Sequence, residues 1–290
     1  MRLSTSTNIL DCELGVNKKR VGIIESLNTC AEAGFKVFDM NFCDNGLPDG
    51  FLLSDTWESE VCHIYEESQK LGIEFSQSHL EFYNICDMQS SNANREVREE
   101  LVRRGIIASG MLGAKWAVLH LGTVYENGMY KCQKSKEKNM EYVKYHLETA
   151  KRYGVGLAIE NLPDKERRRF TGAPEELLDF VDTVNAEHLG ICWDFGHGNL
   201  MHIDQAAVLR EIGKRLKAVH VADNHGIWDE HMAPFCGTVD WNSMMQVLKE
   251  IQFAYDFTYE IHNMTNHFPL EIRKKQLEHL VDLGNYLLSI

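Results

Sequence analysis

The chain has 290 residues, 44% of them hydrophobic and 25% charged, the proportions of an ordinary folded protein and not of a disordered or membrane-embedded one. Its 30 lysines and arginines against 43 acids give a formal net charge of -13, which repels a phosphate backbone and weighs against nucleic acid as the main partner. No apolar run approaches the ~18 residues of a bilayer span, and the opening MRLSTSTNILDCELG lacks the apolar core of a secretory signal, so a cytoplasmic protein with no membrane partner is expected.

In chain order, strand-like runs alternate with helix-like ones. RLSTSTNI (2–9) is followed by FKVFDMNF (35–42), IEFSQSHL (73–80), KWAVLHLG (115–122), GVGLAIEN (154–161), LGICWDFG (189–196), LKAVHVAD (216–223) and FTYEIHN (257–263). Helical apolar spacing fills the intervals, as with Leu101, Ile106, Ala108 and Met111, or Leu177, Leu178, Phe180 and Val181. Ser54-Asp55 with Glu58 a capping distance on, and Pro174 in a first turn, mark helix starts. Gly34, Gly72, Gly113 and Gly154 stand where a left-handed helix end precedes the next strand. Eight such strand-helix units in 290 residues predict an α/β fold, one (β/α)8 TIM barrel over 1–290. An open doubly wound sheet is the alternative, but no GxGxxG follows the first strand. Long irregular connections follow the second, fourth and seventh strands, on the side where a barrel's active-site loops lie. The cysteines, Cys12, Cys30, Cys43, Cys62, Cys86, Cys132, Cys192 and Cys236, form no CxxC or paired spacing and read as reduced thiols.

Catalytic groups of such a barrel come from the C-terminal ends of its strands. Those ends carry His79, His120, Glu160, Asp194 with His197 just beyond, His220 and Glu260, and the loop after the seventh strand adds Asp229 and His231. Imidazoles and carboxylates are donors for Mn, Zn, Fe or Co. A single histidine reads equally as a packed structural residue. Carboxylates buried together on adjacent strands are different, because they repel unless a cation neutralises them. Period-two alternation puts Gly156 and Ala158 on the face of Glu160, and Ala218 and Ala222 on that of His220, leaving inward space beneath a metal.

Other polar groups are weaker candidates. His262 shares a face with Glu260 and reads equally as a pocket or rim residue, whereas His188, His202, His225 and His267 read as solvated. Lys115 and Lys217 begin strands, at the wrong end for catalysis, and read as structural. The basic run LPDKERRRFTG reads mainly as a solvated loop, with one of Arg167, Arg168 or Arg169 able to fold over the pocket toward an anionic part of a substrate. Trp228 reads either as loop packing or as a sugar-stacking aromatic. Asp194-Phe195-Gly196 is not a kinase signature, since no HRD-type loop or glycine-rich phosphate loop accompanies it; Gly196 is expected to let the chain turn off the barrel.

LAIENLPD, ICWDFGHGN, VHVADNHG, DEHMAPFCGTVDW and TYEIHN resemble segments of the xylose isomerase-like barrel superfamily, over essentially the whole chain. That resemblance implies one divalent metal (Mn, Zn, Co or Fe) held by Glu160, Asp194, His220 and Glu260. Substrate contacts are expected from His197, His79, His120 and Trp228. In the endonuclease IV branch up to three zinc ions also draw on residues matching His79, His120, His197, Asp229 and His231. Barrels of this superfamily often pair or form tetramers, so a homo-oligomer is expected. One departure is Phe235-Cys236 before Gly237, where relatives have a glycine and an acid; Cys236 is expected to alter the pocket floor.

The leading expectation is a divalent-metal-dependent isomerase or epimerase acting on a keto sugar or related polyol derivative. Glu160 and Glu260 would move the proton through a metal-stabilised enediolate. A dehydratase or lyase acting on an inosose or keto-glycoside would use the same enolate chemistry. A hydride-shift aldose isomerase fits less well, because no lysine sits at a strand end. The alternative is an endonuclease IV-like abasic-site phosphodiesterase with a trinuclear zinc site, which needs phosphate contacts that one short basic loop does not supply. A non-catalytic binding barrel has no need of two carboxylates astride a metal.

Overall fold

The computed structural model describes residues 1–11, 21–43, 50–87, 92–164, 167–262, 264–265 and 268–290. Cys12, His267, part of the basic run (165–166) and the last residue of the eighth predicted strand lie outside the described residues. The strands are β1 (Leu3–Ser6), β2 (Val37–Asn41), β3 (Glu74–His79), β4 (Trp116–Leu119), β5 (Tyr125–Glu126), β6 (Met129–Tyr130), β7 (Gly156–Glu160), β8 (Leu189–Asp194), β9 (Leu216–Val221) and β10 (Phe257–Tyr259). All but β5 and β6 close into one parallel barrel in the order β1-β10-β9-β8-β7-β4-β3-β2. The predicted (β/α)8 TIM barrel is therefore the fold, each predicted strand containing one barrel strand. The connection after β4 is not wholly irregular: β5 and β6 pair as an antiparallel hairpin.

Helices α1 (Ile23–Ala33), α2 (Trp57–Leu71), α3 (Asn92–Leu112), α4 (Cys132–Arg152), α5 (Pro174–Val184), α6 (Phe195–Leu200), α7 (Gln205–Ile212), α8 (Trp241–Glu250) and α9 (Leu270–Ser289) complete the described elements. Pro174 opens α5, where its missing N–H costs nothing. Leu177, Leu178, Phe180 and Val181 of that helix are buried, each such side chain stabilising the fold by about 1.5–3 kcal/mol. Helix α2 starts later than its sequence suggests, at Trp57 after Thr56, with no side-chain cap. Gly34 and Gly72 end α1 and α2 in the left-handed conformation, as read. No helix among the described residues is long and apolar enough to cross a membrane.

Inside the barrel, Val118, Ala158, Cys192 and Ala218 pack in one small buried cluster. The space beside Gly156 is not left open toward a metal: a Cβ there would meet the Trp116 ring at 2.2 Å. Lys217 fills the corresponding place at Gly190, at 2.1 Å, and its Nζ lies 5.7 Å from the Trp116 and Tyr255 ring centroids. Small residues at this end admit the side chains that close the barrel floor. The opposite end is left to polar side chains, and the register there levels Asp194 with His220.

Candidate metal centre

At the C-terminal end of β7, Glu160 is buried, and Asn161 ties that strand to β8. The Asn161 side chain accepts from the Asp194 N–H at 2.6 Å and donates to the Asp194 carbonyl at 3.0 Å. Asp194 then caps α6, accepting from the His197 N–H at 2.5 Å. Gly196 lies within this turn for reasons of space and not of a left-handed backbone: an added Cβ would come 3.1 Å from the Asn224 amide and 3.2 Å from Asp194 Oδ1.

Glu160, Asp194, His220 and Glu260 present donor atoms that all lie within 4.8 Å of one another. His220 Nδ1 is 3.4 Å from Glu160 Oε1 and 3.3 Å from Glu260 Oε2. Glu160 Oε1, Asp194 Oδ2 and His220 Nδ1 are buried without a hydrogen-bond partner among the described residues. Buried polar atoms rarely stay unpaired, and three that share one small space, two of them carboxylate oxygens, fit a divalent cation. Burial pushes the Asp194 carboxyl up to about 7 despite His197, with Glu160, Glu260 and Asp229 adding to the rise. Burial also works to raise Glu160, but His120 and His220 hold it well below the usual carboxylate range. One acid is thus driven toward neutrality while its neighbour stays charged, because burial and the nearby charges act on the two in opposite directions.

Further donors flank this group. His79 Nε2 and His120 Nε2 lie 3.3 and 2.8 Å from Glu160 Oε2, and 3.2 Å from each other. On the other side, Asp229 Oδ2 lies 3.2 Å from His197 Nε2 and 3.3 Å from His231 Nε2. Backbone carbonyls set the tautomers. Nδ1–H donates to Leu80 in His79 at 2.9 Å, to Asn161 in His197 at 2.8 Å and to Glu260 in His231 at 2.8 Å. Each Nε2 is then the nitrogen turned inward toward the rim carboxylates, where a metal or a substrate hydroxyl could meet it. All nine predicted site donors accordingly meet at one rim: two groups share Glu160 and His220, a third is His197, Asp229 and His231, and His120 joins through Glu160.

Seven of the nine, His79, His120, Glu160, His197, Asp229, His231 and Glu260, line a cavity of ≈ 990 Å³. His262 reaches it, its ring tilted 37° to that of His231 with centroids 4.1 Å apart. His188, His202 and His225 do not line it. Cys236 is exposed and also lies off the cavity wall, so the expected change in the pocket floor is not found there. Trp228 lines the cavity and is 61% exposed, opposite in character to the buried tryptophans Trp193 and Trp241.

Several contributors were not among the residues expected from the sequence. Asp39 Oδ2 lies 3.5 Å from His220 Nε2 and accepts from Gln77 at 2.6 Å. Phe82 packs 5.0 Å from the His120 ring, and the Cys43 thiol lies 2.8 Å from His79 Nδ1. Asp39 and Gln77 are buried polar residues in the middle of strands, a pattern that could have marked them.

Residues 27–283 match the family described as xylose isomerase-like TIM barrel. The chain belongs to this xylose isomerase-like family. Among curated relatives, the uncharacterised protein MJ1311 of Methanocaldococcus jannaschii is 27% identical over 88% of this chain and 85% of its own length. An inosose isomerase of Bacillus licheniformis is 26% identical over 60% of this chain and 62% of its own. Among solved structures, a D-tagatose 3-epimerase-like protein superposes with a TM-score of 0.75 at 22% identity, covering 99% of both chains. For this xylose isomerase-like chain the superposition shows the shared barrel, and the side-chain geometry above describes its rim.

Proposed function

We propose that this protein is a divalent-metal-dependent isomerase or epimerase acting on a keto sugar or related polyol derivative. The observation that carries this reading is the buried group Glu160, Asp194, His220 and Glu260, with orphaned oxygens and nitrogen turned to one point. Relatives named as an inosose isomerase and a D-psicose 3-epimerase support it. Those four residues would hold the cation, which when bound supplies a Lewis acid for adjacent carbonyl and hydroxyl oxygens.

The chain's own residues supply the rest. Glu160 and Glu260 both line the cavity, so a substrate carbon placed in it beside the cation's site would lie within reach of both carboxylates. One removes the proton beside the carbonyl and the other returns it, which inverts the centre; return to the neighbouring carbon isomerises the sugar. His79, His120 and His197 orient hydroxyl groups through their inward nitrogens. Trp228 and Phe82 offer aromatic faces to the sugar ring, while Leu121, Leu162 and Leu200 keep water from the cavity wall.

Incubation of the metal-loaded protein with a panel of ketoses and keto-inositols in deuterated water tests the reading. Deuterium entry beside the carbonyl, with an epimer or isomer formed, is expected; loss of water instead would reassign it to the dehydratases. A second reading rests on the His197, Asp229 and His231 group, which fits a further metal of an endonuclease IV-like phosphodiesterase. About one tight metal ion per chain with no nicking of abasic DNA supports the sugar enzyme, and near three with nicking supports the nuclease.

A further inference from the structure

Building on the keto-sugar reading, we propose that the substrate carries an anionic group, a phosphate ester or a carboxylate, received at the cavity by Arg167 and Arg169. Of the described residues lining the cavity, these two alone are arginine or lysine; Asp11, Glu160, Asp229 and Glu260 are acids on the same wall. Arg168 between them is committed elsewhere, donating to Asp164 at 2.5 Å and Glu176 at 3.0 Å.

Arg167 and Arg169 have no carboxylate partner among the described residues. Arg2, Arg98, Arg103, Arg104, Arg210 and Arg215 all do. Both are exposed, as is Arg152, which also lacks such a partner; what sets this pair apart is their place beside the cavity, where, in a chain of net charge -13, their charge is available to an anion.

The Arg167 side chain and the Arg169 backbone are also held in place. The Arg167 guanidinium stacks 3.3 Å from the Tyr125 ring centroid, and the Tyr125 hydroxyl donates to the Arg168 carbonyl. The Arg169 N–H donates to Asp164 at 2.8 Å, the Phe170 N–H to Thr123 at 3.0 Å, and the Thr171 hydroxyl to the Glu160 carbonyl at 3.0 Å. The loop carrying the arginines is thus pinned to the residue that ends β7. A guanidinium stacked on an aromatic ring keeps its N–H edge free and loses little rotamer freedom when oxygens of an anion arrive. Planar, forked donors suit phosphate and carboxylate alike.

The test compares wild type with R167Q/R169Q and with the charge-keeping R167K/R169K, folding being checked by thermal melts. One neutral ketose, its terminal phosphate and its terminal carboxylic acid are assayed for kcat/KM. Binding of inorganic phosphate to chelator-treated protein, measured by calorimetry, gives a readout independent of turnover. The anionic sugar should be preferred by roughly 10- to 100-fold, the range of hydrogen bonds to charged groups. That preference and phosphate binding should both collapse in R167Q/R169Q and persist in part in R167K/R169K. Whether the phosphate or the acid carries the preference identifies the anion. Equal use of neutral and anionic sugars, or a preference that survives R167Q/R169Q, overturns the inference and leaves the epimerase reading standing. Phosphate binding lost in R167Q/R169Q, in a protein that turns over no ketose, supports the anion subsite and overturns the sugar reading instead.

Discussion

Asp39 faces His220 across the barrel, its Oδ2 3.5 Å from Nε2, and is itself held by a 2.6 Å hydrogen bond from Gln77. Strands β2 and β9 are not neighbours in the sheet, so the pair exists only because the barrel closes. With Nε2 turned to Asp39, Nδ1 is the nitrogen left for Glu160 and Glu260. Asp39→Asn should weaken metal binding by roughly 10- to 100-fold, the usual cost of losing the partner behind a ligating imidazole. Competition with a chromophoric chelator measures this, and an unchanged affinity would remove Asp39 from the centre.

Glu160→Gln and Glu260→Gln should each lower kcat by roughly 10²- to 10⁴-fold, the span of general acid–base contributions. Ligand binding by the Glu260→Gln protein should stay measurable, because the amide keeps the shape of the acid. Full activity in either variant would show that its carboxylate does not move the proton.

Chelation should destabilise the protein, since Glu160, Asp194 and Glu260 share one small space with a single histidine. A ligand present at 100 times its Kd stabilises by about 2.7 kcal/mol, which for a chain of this size shifts the melting temperature by roughly 5–10 °C. Scanning calorimetry with chelator, then with added Mn, Co or Zn, should show loss and recovery. A melt indifferent to both would argue against a buried cation site.

His146 on α4 offers a separate pH signature. It is fully buried between Tyr142 and Tyr145, with ring centroids 4.5 and 5.0 Å away, and neither ring nitrogen has a hydrogen-bond partner among the described residues. Burial, assisted by the charge of Arg103, pushes its pKa down from 6.5 to about 4. The unfolded chain therefore takes up this proton before the folded one does. Stability is full above the unfolded value and declines as pH falls toward the folded value, by about 2 kcal/mol between pH 7 and pH 5. His146→Leu removes that difference, so its urea midpoint should move less than that of the wild type over the same interval. An equal shift in both would place the acid sensitivity elsewhere.

Much of this molecule was legible before folding. Alternating strand and helix patterns determine a parallel sheet, because a βαβ crossover returns every strand in the same direction, and eight units suit its closure into a barrel. All strand C-termini then share one rim, so Glu160, Asp194, His220 and Glu260 converge whatever the loops between them do. The period-two alternation of a strand further decides which of its residues face inward.

Other features depended on closure and packing. Asp39 reaches His220, Phe82 covers His120, and Trp116 occupies the place beside Gly156, through contacts between segments far apart in the chain. Local pattern carries no record of them. The tautomers of His79, His197 and His231 are set by the carbonyls of Leu80, Asn161 and Glu260, whose directions follow from loop geometry. In the run Arg167-Arg168-Arg169 the residue type is the same at all three positions, yet Asp164 and Glu176 take the middle one and leave its neighbours to the cavity. Identical side chains acquire different roles there because the backbone, pinned to Thr123 and Glu160, decides which way each one points.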